Sequence, residues 1–178
     1  MRVVISGTHG TGKSTLVADL VAARPGIRVL GDPYDELVGA GAEASTDAVL
    51  AQLETSARRL QRLRPGLDIV CERGPLDFLA YLDALAVLGR DRHARALAAD
   101  AAETAAAAME QVDLLVLLVS EPATDAQLSA DDDPELRAAM QDALLELVDD
   151  PELVGAGTRV VELAGSREAR LGALLAEL

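Results

Sequence analysis

Arg2-Val3-Val4-Ile5-Ser6-Gly7-Thr8-His9-Gly10-Thr11-Gly12-Lys13-Ser14-Thr15 is the stretch whose reading decides the fold. Arg2–Ser6 is a short apolar run of strand type, and Gly7–Ser14 follows it directly with the spacing G-x-x-x-x-G-K-[ST]. Each residue type in that spacing has a physical task. The glycines let the backbone curl so that successive N–H groups converge on phosphate oxygens. A helix starting near Lys13 brings the positive end of its dipole to the same place. Lys13 then reaches the β- and γ-phosphates, and the Ser14 hydroxyl is a ligand for Mg²⁺. Gly7, Thr8, His9, Gly10, Thr11, Gly12, Lys13, Ser14 and Thr15 are therefore the predicted nucleotide-binding set.

The rest of the composition is consistent with one folded domain, 1–178. The 178 residues suffice for a single core, and 50% are hydrophobic, which excludes a disordered chain. No apolar run has the length of a membrane span, and the N-terminus reads as a core strand rather than a leader. The single cysteine, Cys71, lies in an apolar run, so no internal disulfide forms and a cytoplasmic location is expected. A net charge of −14 argues against nucleic acid or an anionic membrane as partner, since both are held by clustered cations. Lys13 is the only lysine, and the other 15 basic residues are arginines.

Outward from the loop, short apolar runs alternate with helical patterns. Strands are expected at Arg2–Ser6, Ile27–Gly31, Leu67–Cys71, Asp113–Ser120 and Arg159–Leu163. Helices are expected at Lys13–Ala23, Glu43–Arg64, Pro75–Leu88, Arg92–Val112, Pro134–Val148 and Ser166–Glu177. This alternation predicts an α/β fold, a three-layer doubly wound arrangement around a five-stranded parallel sheet. Glu121–Asp133 is polar and irregular and is the expected lid, 121–133. The Ala-rich Arg92–Met109 segment is open between a homodimer face and a buried helix.

In such a sheet, ligands bind beyond the carboxyl ends of the strands. Asp32-Pro33-Tyr34 follows the second strand. Asp32 there is a candidate base toward a substrate hydroxyl, although Asp-Pro also suits an ordinary turn. Glu72-Arg73-Gly74-Pro75 follows the third strand, with Asp77 close behind. Glu72 can support Mg²⁺, and Arg73 can offset charge on a transferred phosphoryl group. Glu121, after the fourth strand, competes with Glu72 for the metal. Tyr34 and Tyr81 are candidates to line an acceptor pocket, joined by Asp77; Phe78 reads as core. Leu163-Ala164-Gly165-Ser166-Arg167 joins the last strand to the last helix. Gly165 and Arg167, or Arg170, are placed to meet a nucleotide base. The chain has no Asn and no second Lys, which disfavours a guanine-reading loop, so ATP is the expected nucleotide.

On Gly7–Ser14, Asp32-Pro33 and Glu72-Arg73-Gly74-Pro75-Leu76-Asp77, the chain resembles the small phosphate-loop kinases of the nucleoside and nucleoside-monophosphate kinase group. In outline it is most similar to short bacterial AAA-type ATP-binding proteins related to nicotinamide riboside kinase domains. Deoxynucleoside kinases carry an acid-Pro pair after the second strand, which implies the base role for Asp32. They also carry Glu-Arg-Ser after the third strand, and thymidylate kinases Asp-Arg-Tyr. The resemblance thus implies Mg²⁺ support by Glu72, phosphoryl or hydroxyl contact by Arg73, and adenine contact around Ala164–Arg167. It also implies ATP-dependent transfer of phosphate to a hydroxyl of a small polar or nucleoside-like molecule. The sequence departs from the group in 121–133, which contains no Arg or Lys; the nearest cation is Arg137, with Arg90, Arg92 and Arg95 as further candidates. That departure keeps a second expectation open, an ATP-binding regulatory switch with slow or partner-dependent hydrolysis.

Overall fold

In the computed structural model, residues 1–33, 45–64, 66–119 and 133–178 are described. The strands are β1 (Arg2–Ser6), β2 (Arg28–Leu30), β3 (Ile69–Glu72), β4 (Leu114–Leu118) and β5 (Arg159–Leu163). The helices are α1 (Lys13–Ala23), α2 (Thr46–Gln61), α3 (Pro75–Val87), α4 (Ala94–Met109), α5 (Pro134–Val148), α6 (Pro151–Val154) and α7 (Arg167–Glu177). The strands form one parallel sheet in the order β2-β3-β1-β4-β5. The doubly wound, five-stranded α/β fold is thus the one expected.

Side-chain alternation along the strands divides the core into two layers. Val3 and Ile5 of β1 lie with Val70, Leu114 and Val116 against Leu16, Val17 and Leu20 of α1 and Leu174 of α7. Val4 points the other way, with Cys71, Leu115 and Leu117, into a larger cluster built by α2 to α6. Strands buried on both faces cannot carry polar residues at alternate positions, which is why β4 reads as an unbroken apolar run. In α4 the inner positions Ala98, Ala101, Ala105 and Ala108 are buried in this chain's own core. That is the buried-helix alternative for the Ala-rich segment.

Differences from the expected elements are local and have local causes. Helix α2 begins at Thr46 because the Ser45 side chain caps it, accepting from the Ala48 amide at 3.2 Å. Strand β3 runs one residue further than expected, since Ile5 pairs with Glu72 in register. The short helix α6 was not expected; Asp150 caps it and Pro151 opens it. Tyr34, Glu121 and most of the expected lid lie outside the described residues. Cys71 is buried and its thiol is pushed up to about 12, so it stays protonated and unreactive.

Candidate active site

The order β2-β3-β1-β4-β5 puts the ends of β2 and β3 beside the loop that leaves β1. Three glycines shape that loop with positive φ: Gly7, Gly10 and Gly12. Gly7 has the firmest requirement. Its φ is 149°, and a Cβ there would lie 2.6 Å from the Leu118 carbonyl oxygen. Lys13 folds back onto the loop, its Nζ donating to the carbonyls of Gly7 at 2.9 Å and Thr8 at 2.8 Å. Thr11 Oγ1 also donates to the Thr8 carbonyl, at 2.9 Å. Burial, and second the charge of Arg73, pull the Lys13 ammonium from 10.5 down to about 8. His9, Ser14 and Thr15 are exposed.

At the end of β3, consecutive residues serve different partners. Glu72 Oε1 accepts from Ser14 Oγ at 2.5 Å, which brings the two expected metal ligands together across 58 residues of sequence. Arg73 Nε pairs with Asp32 Oδ2 at 2.8 Å, joining the two strand-end motifs. Both partners are largely shielded, with side chains 21% and 17% exposed, so the pair is not a screened surface contact. Arg73 adopts φ 63°, the single non-glycine residue with positive φ among those described. Its N–H donates to the Ile5 carbonyl at 3.1 Å. Gly74 then passes so close to β1 that a Cβ would lie 2.7 Å from Val4 Cγ1. A side chain at position 74 would therefore require Val4 to move.

Asp77 requires a correction. It was expected to face substrate, but it is fully buried. Its carboxylate accepts from Ser6 Oγ at 2.6 Å, the Gly7 amide at 3.0 Å and the Gly74 amide at 2.8 Å. It therefore shapes the site from behind. Tyr81, one turn further along α3, is half-buried; its hydroxyl is pushed up by burial and by Asp133, with Arg90 and Arg73 opposing. It stands near the arginine that meets Asp32.

The remaining predicted residues are dispersed. Arg167 grips Asp19 of α1 with Nε at 2.7 Å and Nη2 at 2.5 Å, and holds the Asp19 carboxyl below its ordinary range. This correction turns Arg167 from a base contact into a tie between α7 and α1. Its neighbour one turn on, Arg170, meets the loop instead, its Nη1 donating to the Thr11 carbonyl at 2.7 Å. Gly165 makes the turn before α7 with φ 89°. Arg137 is half-buried in the first turn of α5. Arg90 is engaged by Asp133 and by Glu135, the latter at 2.8 Å. Sequence reasoning missed Ser6 and Arg59, whose Nη1 donates to the Gly31 carbonyl next to Asp32 at 2.9 Å. Nothing local marks Arg59 among the arginines of α2.

The donors present suit a nucleoside triphosphate with Mg²⁺. Ser14 Oγ and Glu72 Oε1 are hard oxygen ligands, as Mg²⁺ requires. Among the described residues, no group of three or more His, Cys, Asp or Glu forms a self-sufficient metal cage. Mg²⁺ characteristically completes its shell with water and phosphate oxygens. Thr8 Oγ1, buried in the loop, makes no hydrogen bond within the described structure. Nor is any described helix long and apolar enough to cross a membrane.

Known structures share this fold over nearly the whole chain. Deoxyadenosine kinase from M. mycoides with bound dATP superposes with a TM-score of 0.70 at 14% identity, covering 99% of this chain and 98% of that one. The same enzyme with the products dCMP and dCDP gives 0.69 at 15% identity, covering 99% and 97%. Thymidylate kinase from Candida albicans gives 0.64 at 17% identity, covering 99% and 89%. No curated protein sequence matches. Residues 2–170 match the AAA domain family, and the chain belongs to that family.

Proposed function

We propose that this protein transfers the γ-phosphoryl group of ATP to a hydroxyl of a small polar or nucleoside-like acceptor. The observation that carries the reading is the pair of consecutive residues at the end of β3. Glu72 reaches the serine of the phosphate loop, and Arg73 reaches Asp32. One corner of the chain thus serves both the donor and the acceptor side. The fold shared with deoxyadenosine and thymidylate kinases supports the same reading.

Mg²⁺, when held by Ser14 and Glu72, supplies charge neutralisation on the phosphate oxygens. The chain's own residues do the rest by position and charge. Loop amides and Lys13 hold the β- and γ-phosphates, Lys13 exchanging its carbonyl partners for phosphate oxygens. Asp32 orients the acceptor hydroxyl and accepts its proton as the oxygen bonds to the γ-phosphorus. The bond to the β–γ bridging oxygen breaks, and ADP leaves with those electrons. Arg73, already beside Asp32, stabilises the charge that develops on the transferred group.

The test is ATP consumption across nucleosides, sugars and aminocyclitols. Consumption that requires an acceptor, yields a phosphorylated product and disappears in Lys13→Ala is expected. No acceptor-stimulated turnover in any class would overturn the proposal. The arginine-free stretch 121–133, with Arg90 already committed to Asp133 and Glu135, favours a second reading, a nucleotide-dependent switch. Hydrolysis that depends on a partner protein and leaves no phosphorylated small molecule would identify it.

A further inference from the structure

A carboxylate with no solvent exposure depends on the donors around it. Asp77 sits in the first turn of α3, where helix capping accounts for one of its bonds, the return contact to the Gly74 amide at the N-cap. Capping does not account for the other two. Gly7 N at 3.0 Å and Ser6 Oγ at 2.6 Å lie on β1 and the phosphate loop, some 70 residues away in sequence. Gly7 is the first residue of that loop, and its carbonyl receives Lys13. Gly74 follows Arg73, whose left-handed backbone is held on its other side by the bond to the Ile5 carbonyl. A single buried side chain therefore fixes the root of the phosphate loop and one flank of the arginine that meets Asp32.

We infer that Asp77 is a positioning residue that locks the phosphate loop and the Glu72–Gly74 corner into one register, so that a change at either is felt at the other. Fully buried, its side chain offers no surface to nucleotide or acceptor. Its functional meaning rests on the phosphotransfer reading above; its structural meaning does not.

Asp77→Asn keeps the shape but turns one oxygen into a donor. Asparagine cannot accept from Gly7 on one side and from Gly74 and Ser6 on the other. Ser6→Ala removes one donor and leaves both amides paired. In the full chain, three quantities are compared with wild type: hydrogen exchange at the Gly7 and Gly74 amides without nucleotide, affinity for a fluorescent ATP analogue with Mg²⁺, and the urea midpoint. Asp77→Asn is expected to speed exchange at both amides and to weaken the analogue about tenfold. Ser6→Ala should move both in the same direction, by roughly threefold. If Asp77 only caps α3, exchange rises at Gly74 and in the first turn of α3, while Gly7 and the affinity stay at wild-type values. That result overturns the inference. Should Asp77→Asn fail to fold, Ser6→Ala decides: unchanged Gly7 exchange and affinity overturn it. A wild-type protein that bound no nucleotide would sink the functional reading alone, because the exchange arm needs none.

Discussion

Lys13 is the only lysine in the chain, so its amine can be observed without interference. Burial in the loop, with Arg73 nearby, draws it from 10.5 to about 8, although Asp77, Glu72 and Asp32 all pull the other way. That drop means the fold favours the neutral amine by roughly 3 kcal/mol relative to the unfolded chain. The sign follows from proton counting. Between pH 8 and 10.5 the unfolded chain holds the proton and the folded one does not, so Lys13 makes stability rise with pH across that window. Phosphate oxygens reverse the preference, because they favour the ammonium. Nucleotide must then bind the protonated fraction, which at pH 9.5 is about one part in thirty, and apparent affinity falls by roughly thirtyfold from its value near pH 7.

Protein labelled with ¹³C at lysine Cε gives one resonance, and its titration midpoint is expected near pH 8. A fluorescent ATP analogue, titrated from pH 7 to 9.5, should weaken with wild type. It should hold constant with Lys13→Arg, whose guanidinium stays charged throughout. Burial pushes Cys71 up to about 12 and raises Tyr81, in both cases away from that range. A midpoint at the ordinary lysine value, or a wild-type affinity flat with pH, would refute the reasoning.

Glu72→Gln keeps an acceptor for Ser14 but removes the anion, so the Mg²⁺ concentration needed for half-maximal nucleotide binding should rise about tenfold or more. If Glu121→Ala has that effect and Glu72→Gln does not, the metal assignment moves to Glu121. Gly74→Ala forces a methyl to within 2.7 Å of Val4 Cγ1 and should destabilise the fold by about 1–3 kcal/mol in urea denaturation. Paired with Val4→Ala, it should cost much less than the sum of the two single changes. Arg167→Ala removes a tie to α1 that does not touch the loop and should leave nucleotide affinity unchanged, whereas Arg170→Ala, through the Thr11 carbonyl, should weaken it. Equal effects from the two arginines would contradict their placement.

Local chemistry made much of this legible in advance. The phosphate loop is encoded in adjacent residues, and strand-helix alternation sets the layers, so β1, β5, α1 and α5 fall where the pattern puts them. What escaped was decided by distant contacts. Asp77 looks like a site residue because it follows Glu72-Arg73. Only the packing of α3 against the end of β1 reveals that it is buried on Ser6 and Gly7. Arg167 and Arg170 lie three apart on one helix with the same side chain. Asp19 of α1 captures the first, and the second is left to the loop, a choice made by tertiary packing alone.

The corner at Glu72–Gly74 shows why those distant contacts matter. In an uninterrupted strand, residues alternate between the two faces of the sheet, so Glu72 and Gly74 would share one face and Arg73 the other. The positive φ of Arg73 breaks that alternation just past the carboxyl end of β3. Glu72 then meets Ser14, Arg73 meets Asp32, and the Gly74 amide meets Asp77. Holding a non-glycine residue there costs about 1 kcal/mol or more. Glycine would remove that strain but also the guanidinium, and any uncharged side chain would keep the strain and lose the ion pair with Asp32. The strain is therefore tied to the arginine itself. The bonds that hold it, from Ile5 on one side and Asp77 on the other, belong to the same network that fixes the phosphate loop.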